Sequence, residues 1–296
     1  MKFVNQMVNM LEQDIFNLSA YTGRKINGLL GSDFFQDHVV KVDYDLQRIT
    51  FYESSSFQIP KGYVAVPLTI VNDKMYAKVL VADGKGKPRE VNMLIDSGAE
   101  LAAWFRTYGS NAVKLPDKNI HGYIGQGLNG EIKGYVGRLP RVYFGGHVLH
   151  NPIVSFPDSV SISEAIKDSN REGTIGSQIL SRFNLIFDEP NEMLYIKPNR
   201  NYKKDFVYNA AGIEAVKQSF IPFLPEIFYV WENSPAEKAG IMAGDLILDI
   251  NGQSGFKADI NEIRRIFEGK NGKSISLTVL RKSDSKTIKI NITDTL

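Results

Sequence analysis

The chain contains no cysteine. Disulfide frameworks, thiolate zinc sites and a cysteine nucleophile are therefore excluded. Histidine is scarce, with only His38, His121, His147 and His150. The last two are near neighbours, but an i, i+3 pair on an extended segment points to opposite faces. No metal site is expected. A Ser-His-Asp triad is not expected either, because no serine sits in a nucleophile-elbow pattern. An excess of one charge is also missing: 35 Lys and Arg stand against 33 Asp and Glu. That balance predicts neither a nucleic-acid stripe nor a polybasic membrane anchor. No apolar run approaches the roughly eighteen residues a bilayer span needs. The first residues, Met1 to Gln6, lack the apolar core of a signal peptide.

What is present is an ordinary globular composition: 43% hydrophobic, 23% charged and a mean hydropathy of −0.19 over 296 residues. These values disfavour disorder and leave room for two or three domains. The strongest signal is an internal repeat. The run from Gly28 to Tyr52 matches the run from Gly173 to Lys197 without a gap, at an offset of 145. Gly28 falls on Gly173, Gly31 on Gly176, Ser32 on Ser177 and Asp43 on Asp188. Apolar pairs fill the intervals: Leu30 with Ile175, Val40 with Leu185, Ile49 with Leu194. Both copies read as an apolar strand ending at Gly, a short helix, then a hairpin around an Asp-rich turn. Chance similarity between two β-rich stretches is the competing reading. Upstream, Phe3-Val4 fall on Val148-Leu149 and Val8 on Ile153. The expectation is that the front half of the first copy is missing.

The second copy opens with strand-like segments at Tyr63 to Val71 and Met75 to Val81. A further apolar strand, Val91 to Ile95, runs into Asp96-Ser97-Gly98-Ala99. A D-S-G triplet alone can be a plain strand-to-loop turn closed by an Asx hydrogen bond. Downstream, Tyr123 to Tyr135 is a glycine-rich stretch that reads as a hairpin, and Thr174-Ile175-Gly176 supplies an apolar-apolar-Gly element. This ordered set resembles the retropepsin-like and pepsin-like aspartic proteases. The resemblance implies a mainly β fold of duplicated acid-protease lobes, the first partial, and an aspartic endopeptidase activity that needs no cofactor. It implies Asp96 as a catalytic aspartate, Ser97 as a hydroxyl bracing two loops, and Gly98 as a close-approach position. Gly125 and Gly127 would lie near a flap tip, and Gly31 and Gly176 on psi-shaped loops. Glu100 departs from the family pattern.

That chemistry needs two carboxylates sharing one proton, because like charges about 3 Å apart cannot both ionise. Moving back from Asp96 by one repeat puts the other aspartate at position −49, before Met1, and the sequence has no second D-S-G or D-T-G. The chain as read holds half a dyad and by itself is expected to be inactive. A catalytically inactive peptide-binding protein with the same fold is the alternative, and pairing of Asp96 from two chains is a third reading.

The basic stretch Lys197 to Lys204 reads as a linker. After it, Ser234-Pro235-Ala236-Glu237-Lys238-Ala239-Gly240-Ile241 leads to Ala243-Gly244-Asp245 and on to Asn251-Gly252. This resembles the core of bacterial PDZ domains. A helix is expected from Asp259 to Phe267, then strands at Ser274 to Leu280 and Thr287 to Ile292. The resemblance implies strand addition of a peptide ligand, its terminal carboxylate held in a backbone nest. Gly212 and Ile213 are the candidate nest, with Phe220-Ile221 second; a plain strand bulge at Gly212 is the other reading. The expected domains are 1–58, the closing half of a first lobe; 59–200, a second lobe; and 206–296, a PDZ domain. Expected partners are a peptide or protein substrate and a C-terminal peptide ligand, with no nucleic acid and no membrane span. The resemblance implies an exported protein.

Overall fold

A computed structural model of the chain describes residues 18–84, 86–127, 130–166, 170–217, 224–269 and 271–296. The matches at Phe3 to Val8 and the Phe220-Ile221 candidate lie outside them. In chain order the elements are α1 (Leu18–Thr22), β1 (His38–Asp43), β2 (Arg48–Glu53), β3 (Val64–Val71), β4 (Lys74–Ala82), β5 (Arg89–Ile95) and β6 (Ala103–Phe105). Then come β7 (Asn119–Gly127), β8 (Gly130–Arg138), β9 (Arg141–Phe144), β10 (His147–His150), β11 (Ile153–Pro157), α2 (Ser159–Ile166), β12 (Gly173–Ile175), α3 (Ser177–Leu180), β13 (Phe183–Asp188) and β14 (Met193–Pro198). The C-terminal part adds β15 (Ile213–Val216), β16 (Glu226–Val230), α4 (Pro235–Lys238), β17 (Leu246–Ile250), β18 (Gln253–Ser254), α5 (Ile260–Phe267), β19 (Ser274–Arg281) and β20 (Asp284–Asn291). The fold is mainly β.

Two compact units emerge. One holds Leu30–Asp117 with Tyr135–Phe206; the other gathers the segment ending at Leu29, Lys118–Gly134 and Val207–Leu296. These units cut across the boundaries read from the sequence. The reason lies in side chains: Tyr21 of α1 and Tyr123 of β7 pack against Phe228 of β16, at ring-centroid distances of 5.5 and 5.1 Å.

In the first-named unit the strands run β2-β1-β13-β14-β3-β4-β5-β12-β6-β11, with the β9–β10 hairpin joined to β4 through β9. The two repeat copies make the same hairpin. Asp43 sits opposite Arg48, and Asp188 opposite Met193. Gln47 and its repeat mate Glu192 share a left-handed backbone, φ 50° and 52°. Each Asp closes its turn on the residue three ahead: Asp43 Oδ1 accepts from the Leu46 amide at 3.0 Å, Asp188 Oδ1 from the Asn191 side chain at 2.8 Å. Upstream of the hairpins the copies diverge. Gly173–Ile175 forms β12, fully buried, whereas Gly28 to Gly31 forms no strand. The strand expected there is absent because it lacks neighbours. Leu29 and Leu30 are 72% and 66% exposed, where Ile175 is 0%.

The other unit is built on the sheet β15-β16-β17-β19-β20, with β18 paired to β17. Ile227, Ile247, Ile263, Phe267, Leu277 and Ile290 form its core. Its local signals act as their chemistry requires. Ser234 caps α4 by accepting from the Glu237 amide at 3.1 Å, with Pro235 at the first helical position. Asn251 and Gly252 both take positive φ, 51° and 86°, and link β17 to β18 by a two-residue turn.

Candidate active site and peptide groove

Strand β5 buries Val91 and Met93 on one face, both fully, and Leu94 on the other. It delivers Asp96 to the edge of the core, half-buried. The Asp96 amide donates to the Ile175 carbonyl at 3.0 Å, which ties the loop to β12. Oδ1 of Asp96 accepts from the amides of Gly98 (2.9 Å) and Ala99 (3.2 Å), a local Asx arrangement. Among the described residues nothing donates to Oδ2.

Strand β12 runs parallel to β5, with Ile95 opposite Ile175, and antiparallel to β6, with Ala103 opposite Ile175. Past β12 the chain threads under the loop that follows Asp96. The Gly176 amide donates to Ala102 O (2.8 Å), Ser177 to Ala99 O (2.7 Å) and Gln178 to Leu101 O (3.2 Å). This approach requires glycine: a Cβ at Gly176 would run into the carbonyl oxygens of Leu101 and Ala99. At Gly173 it would strike the Trp104 carbonyl. Arg171 braces the element from behind. Its guanidinium lies 4.7 Å from the Trp104 ring centroid and donates to Gly173 O and Thr174 Oγ1. Burial lowers its pKa, partly offset by the negative field of Tyr76 and Asp96. Nothing in the sequence singled out Arg171; its role depends on the parallel pairing of β5 and β12.

Asp96, Gly98 and Gly176 are thus brought together. Ser97 is exposed, and its hydroxyl has no hydrogen-bond partner among the described residues. Bracing two loops requires a second such loop. Gly31 is exposed and stands before a single 3₁₀ turn, Ser32–Phe34, with no psi-shaped loop around it. That expectation is corrected, because among the described residues Gly28 to Gly31 lies in no strand. Gly125 and Gly127 lie in the last residues of β7, in the unit of the C-terminal module.

The turn at Ala211-Gly212-Ile213 differs from the expected open nest. The Gly212 amide donates to Asn209 Oδ1 at 3.0 Å, Ile213 to the same oxygen at 3.3 Å, and Ala211 to Phe267 O at 3.0 Å. Gly212 has φ 75°, and a Cβ there would collide with Ser234. Asn209 Oδ1 thus accepts from two successive amides of the turn. In this structure the Gly212 and Ile213 amides are therefore engaged by Asn209 rather than open to a ligand.

Residues 77–179 match the family model described as aspartyl protease, and residues 227–281 match a PDZ domain model. The chain carries an aspartyl-protease-like domain and a PDZ domain. It is similar to a probable CtpA-like serine protease of Staphylococcus haemolyticus (strain JCSC1435), 37% identical over 92 residues, or 31% of this chain and 18% of that protein. A probable CtpA-like serine protease of Staphylococcus epidermidis is 37% identical over 59 residues, 20% of this chain and 12% of that one. The chain spans less than a fifth of the length of these relatives. Among solved structures, the PDZ domain of EpsC from Vibrio cholerae shares 18% identity over 28% of this chain and 79% of its own, with a TM-score of 0.21.

Proposed function

We propose that the protease-like unit supplies one carboxylate, Asp96, to an aspartic endopeptidase dyad. The observation that carries this is the threading of Gly176 beneath the loop after Asp96, whose own Gly98 and Ala99 amides hold Oδ1 while no described residue donates to Oδ2. In such a dyad one carboxylate takes a proton from water as the oxygen attacks the peptide carbonyl, and the other, protonated, donates to the carbonyl oxygen. Collapse of the tetrahedral intermediate then breaks the C–N bond: the amine takes the proton held by the first carboxyl group, and the gem-diol hydroxyl returns its proton to the second, restoring both. The two groups titrate as a unit. A single carboxylate acting as acid or base supplies only about 10² to 10⁴ in rate, short of the roughly 10⁶ or more typical of enzymes. The second carboxylate must come from another D-[ST]-G loop, and the exposed Leu29-Leu30 segment is where the repeat would seat its strand.

The serine-protease relatives share under a fifth of their length with this chain, so their chemistry does not carry over to Asp96. A peptide-library digest at several acidic to neutral pH values tests the assignment. The 296-residue chain alone should be silent. Joined to a segment bearing a second D-[ST]-G, it should cleave with an acidic optimum, and Asp96→Asn should abolish turnover. Cleavage that survives Asp96→Asn and is stopped by a fluorophosphonate would overturn the proposal in favour of a serine-type enzyme. Asp96-dependent cleavage by the unextended chain, second order in protein, would move the second carboxylate to another copy.

A further inference from the structure

The groove of a PDZ domain lies between the strand after its glycine turn and the long helix, here β15 and α5, and a peptide adds to that strand as a ligand. In this chain the place is taken. Helix α1 lies against both β15 and α5. The Lys217 amide, just past β15, donates to Ala20 O at 3.3 Å, and the Asn261 side chain on α5 donates to Thr22 O at 3.1 Å. Ser19 and Ala20 are buried at 4% and 3% exposure. Gly23, φ 65°, passes so close to Ile260 that a Cβ would collide with its side chain. Tyr21 completes the seat. Its ring stacks on Tyr123 at an interplanar angle of 3°, meets Phe228 edge-on at 5.5 Å, and lies 6.0 Å from the Arg264 guanidinium. Its hydroxyl accepts from Tyr123 at 2.7 Å.

We infer that residues 18–23 are a built-in occupant of the PDZ groove, which an incoming peptide must displace. The inference rests on the module's being a peptide binder. It deepens that reading by naming the ligand class: an internal segment with two small side chains followed by an aromatic, not a C-terminus. Two independent features agree on this class. The amides of the glycine turn are closed by Asn209, so no terminal carboxylate is called for. The seated segment is itself internal, with small Ser19 and Ala20 buried and aromatic Tyr21 in the ring cluster. Displacement has a structural consequence, because Tyr21 is the stacking partner of Tyr123 on β7. A bound peptide that does not reproduce the ring removes the stacking partner of Tyr123, leaving it Phe228 and Tyr229.

A fluorescein-labelled, C-terminally amidated peptide of residues 18–26 titrated into the full chain provides the test. The native occupant belongs to the same chain and is already seated against β15 and α5, so the probe competes with an intramolecular partner and the wild-type chain should bind it poorly. Tyr21→Ala, which removes the ring contacts, and Gly23→Val, which forces the segment away from Ile260, should each raise probe affinity at least ten-fold. Both should also increase hydrogen exchange in 119–127 and 213–217. The free-acid form of the probe should bind no better than the amide. Probe affinity equal in the wild type and both variants would overturn the inference, as would a strong preference for the free acid. If both variants expose 213–217 to exchange yet no chain binds either probe, the peptide-binding reading fails and the inference with it. That result leaves the protease assignment untouched.

Discussion

Lys41 lies directly opposite Ile186 in the antiparallel pair of β1 and β13. The two are 145 positions apart, the offset of the internal repeat, so each faces its own repeat mate. The pairs on either side are exchanged by the same offset: Val40 faces Phe187, the repeat mate of Val42, and Val42 faces Leu185, the repeat mate of Val40. A local two-fold axis therefore passes through the Lys41–Ile186 pair and exchanges the two hairpins. The repeat is thus a structural symmetry as well as a similarity of letters.

This junction should be a stability determinant. Ile186 is fully buried, and Ile186→Ala should cost about 2 to 5 kcal/mol, the range for truncating a buried aliphatic side chain. Denaturant unfolding measures it, with m unchanged if only packing is lost.

The same symmetry predicts an asymmetric response at two equivalent glycines. Gly173→Ala drives a methyl into the Trp104 carbonyl, whereas a Cβ at Gly28 meets nothing within 4 Å. The first substitution should destabilise the protease-like unit by several degrees in Tm. The second should leave Tm unchanged or slightly raised, since Ala narrows the unfolded ensemble at a compatible site. A paired thermal melt compares them.

Asp245 should make the PDZ module acid-sensitive. It is 1% exposed and receives Arg281 bidentately, Nε on Oδ1 and a terminal nitrogen on Oδ2, both at 2.7 Å. Burial alone would raise its pKa, but the guanidinium and the Met242 amide outweigh burial and hold it below the ordinary 3.8. A carboxyl depressed in the folded state stabilises fully above its unfolded pKa, and that stability is lost as pH falls through the folded value. Acid unfolding followed by Trp231 fluorescence should show the loss below pH of about 4. Asp245→Asn should remove this pH dependence and cost about 3 kcal/mol or more at neutral pH by leaving the guanidinium without its carboxylate.

His147 offers a second pH probe in the protease-like unit. Its ring sits 5.5 Å from Phe183 and 5.8 Å from Tyr202, and its Nε2 is buried with no hydrogen-bond partner among the described residues. Burial lowers its pKa from 6.5, so its contribution is full above that value and is lost as pH falls below it. His147→Phe should flatten the stability profile just below pH 6.5 and leave the protein at least as stable at neutral pH. Urea midpoints across that window provide the measurement.

What the sequence by itself determined was local or repeated. The β alternation, the Ser234-Pro235 helix start, the Asn251-Gly252 turn and the Asp43 and Asp188 turns each depend on residues a few positions apart. Their backbone and capping hydrogen bonds form wherever those residues occur. The duplication was legible because the same short-range rules were written twice, and the D-S-G triplet because its Asx geometry closes within four residues. Only the tertiary structure decided the rest. The segment Gly28 to Gly31 has the apolar residues of a strand, but a strand needs neighbours for its amides and carbonyls, so Leu29 and Leu30 stay exposed where Ile175 is buried. The Ala211-Gly212-Ile213 turn has the glycine of a nest, but the Asn209 side chain reaches its amides first. Tyr21 and Tyr123 carry no mark that they will meet. They stack because α1 and β7 both fold onto the C-terminal sheet, a contact between side chains 102 positions apart that periodicity does not encode.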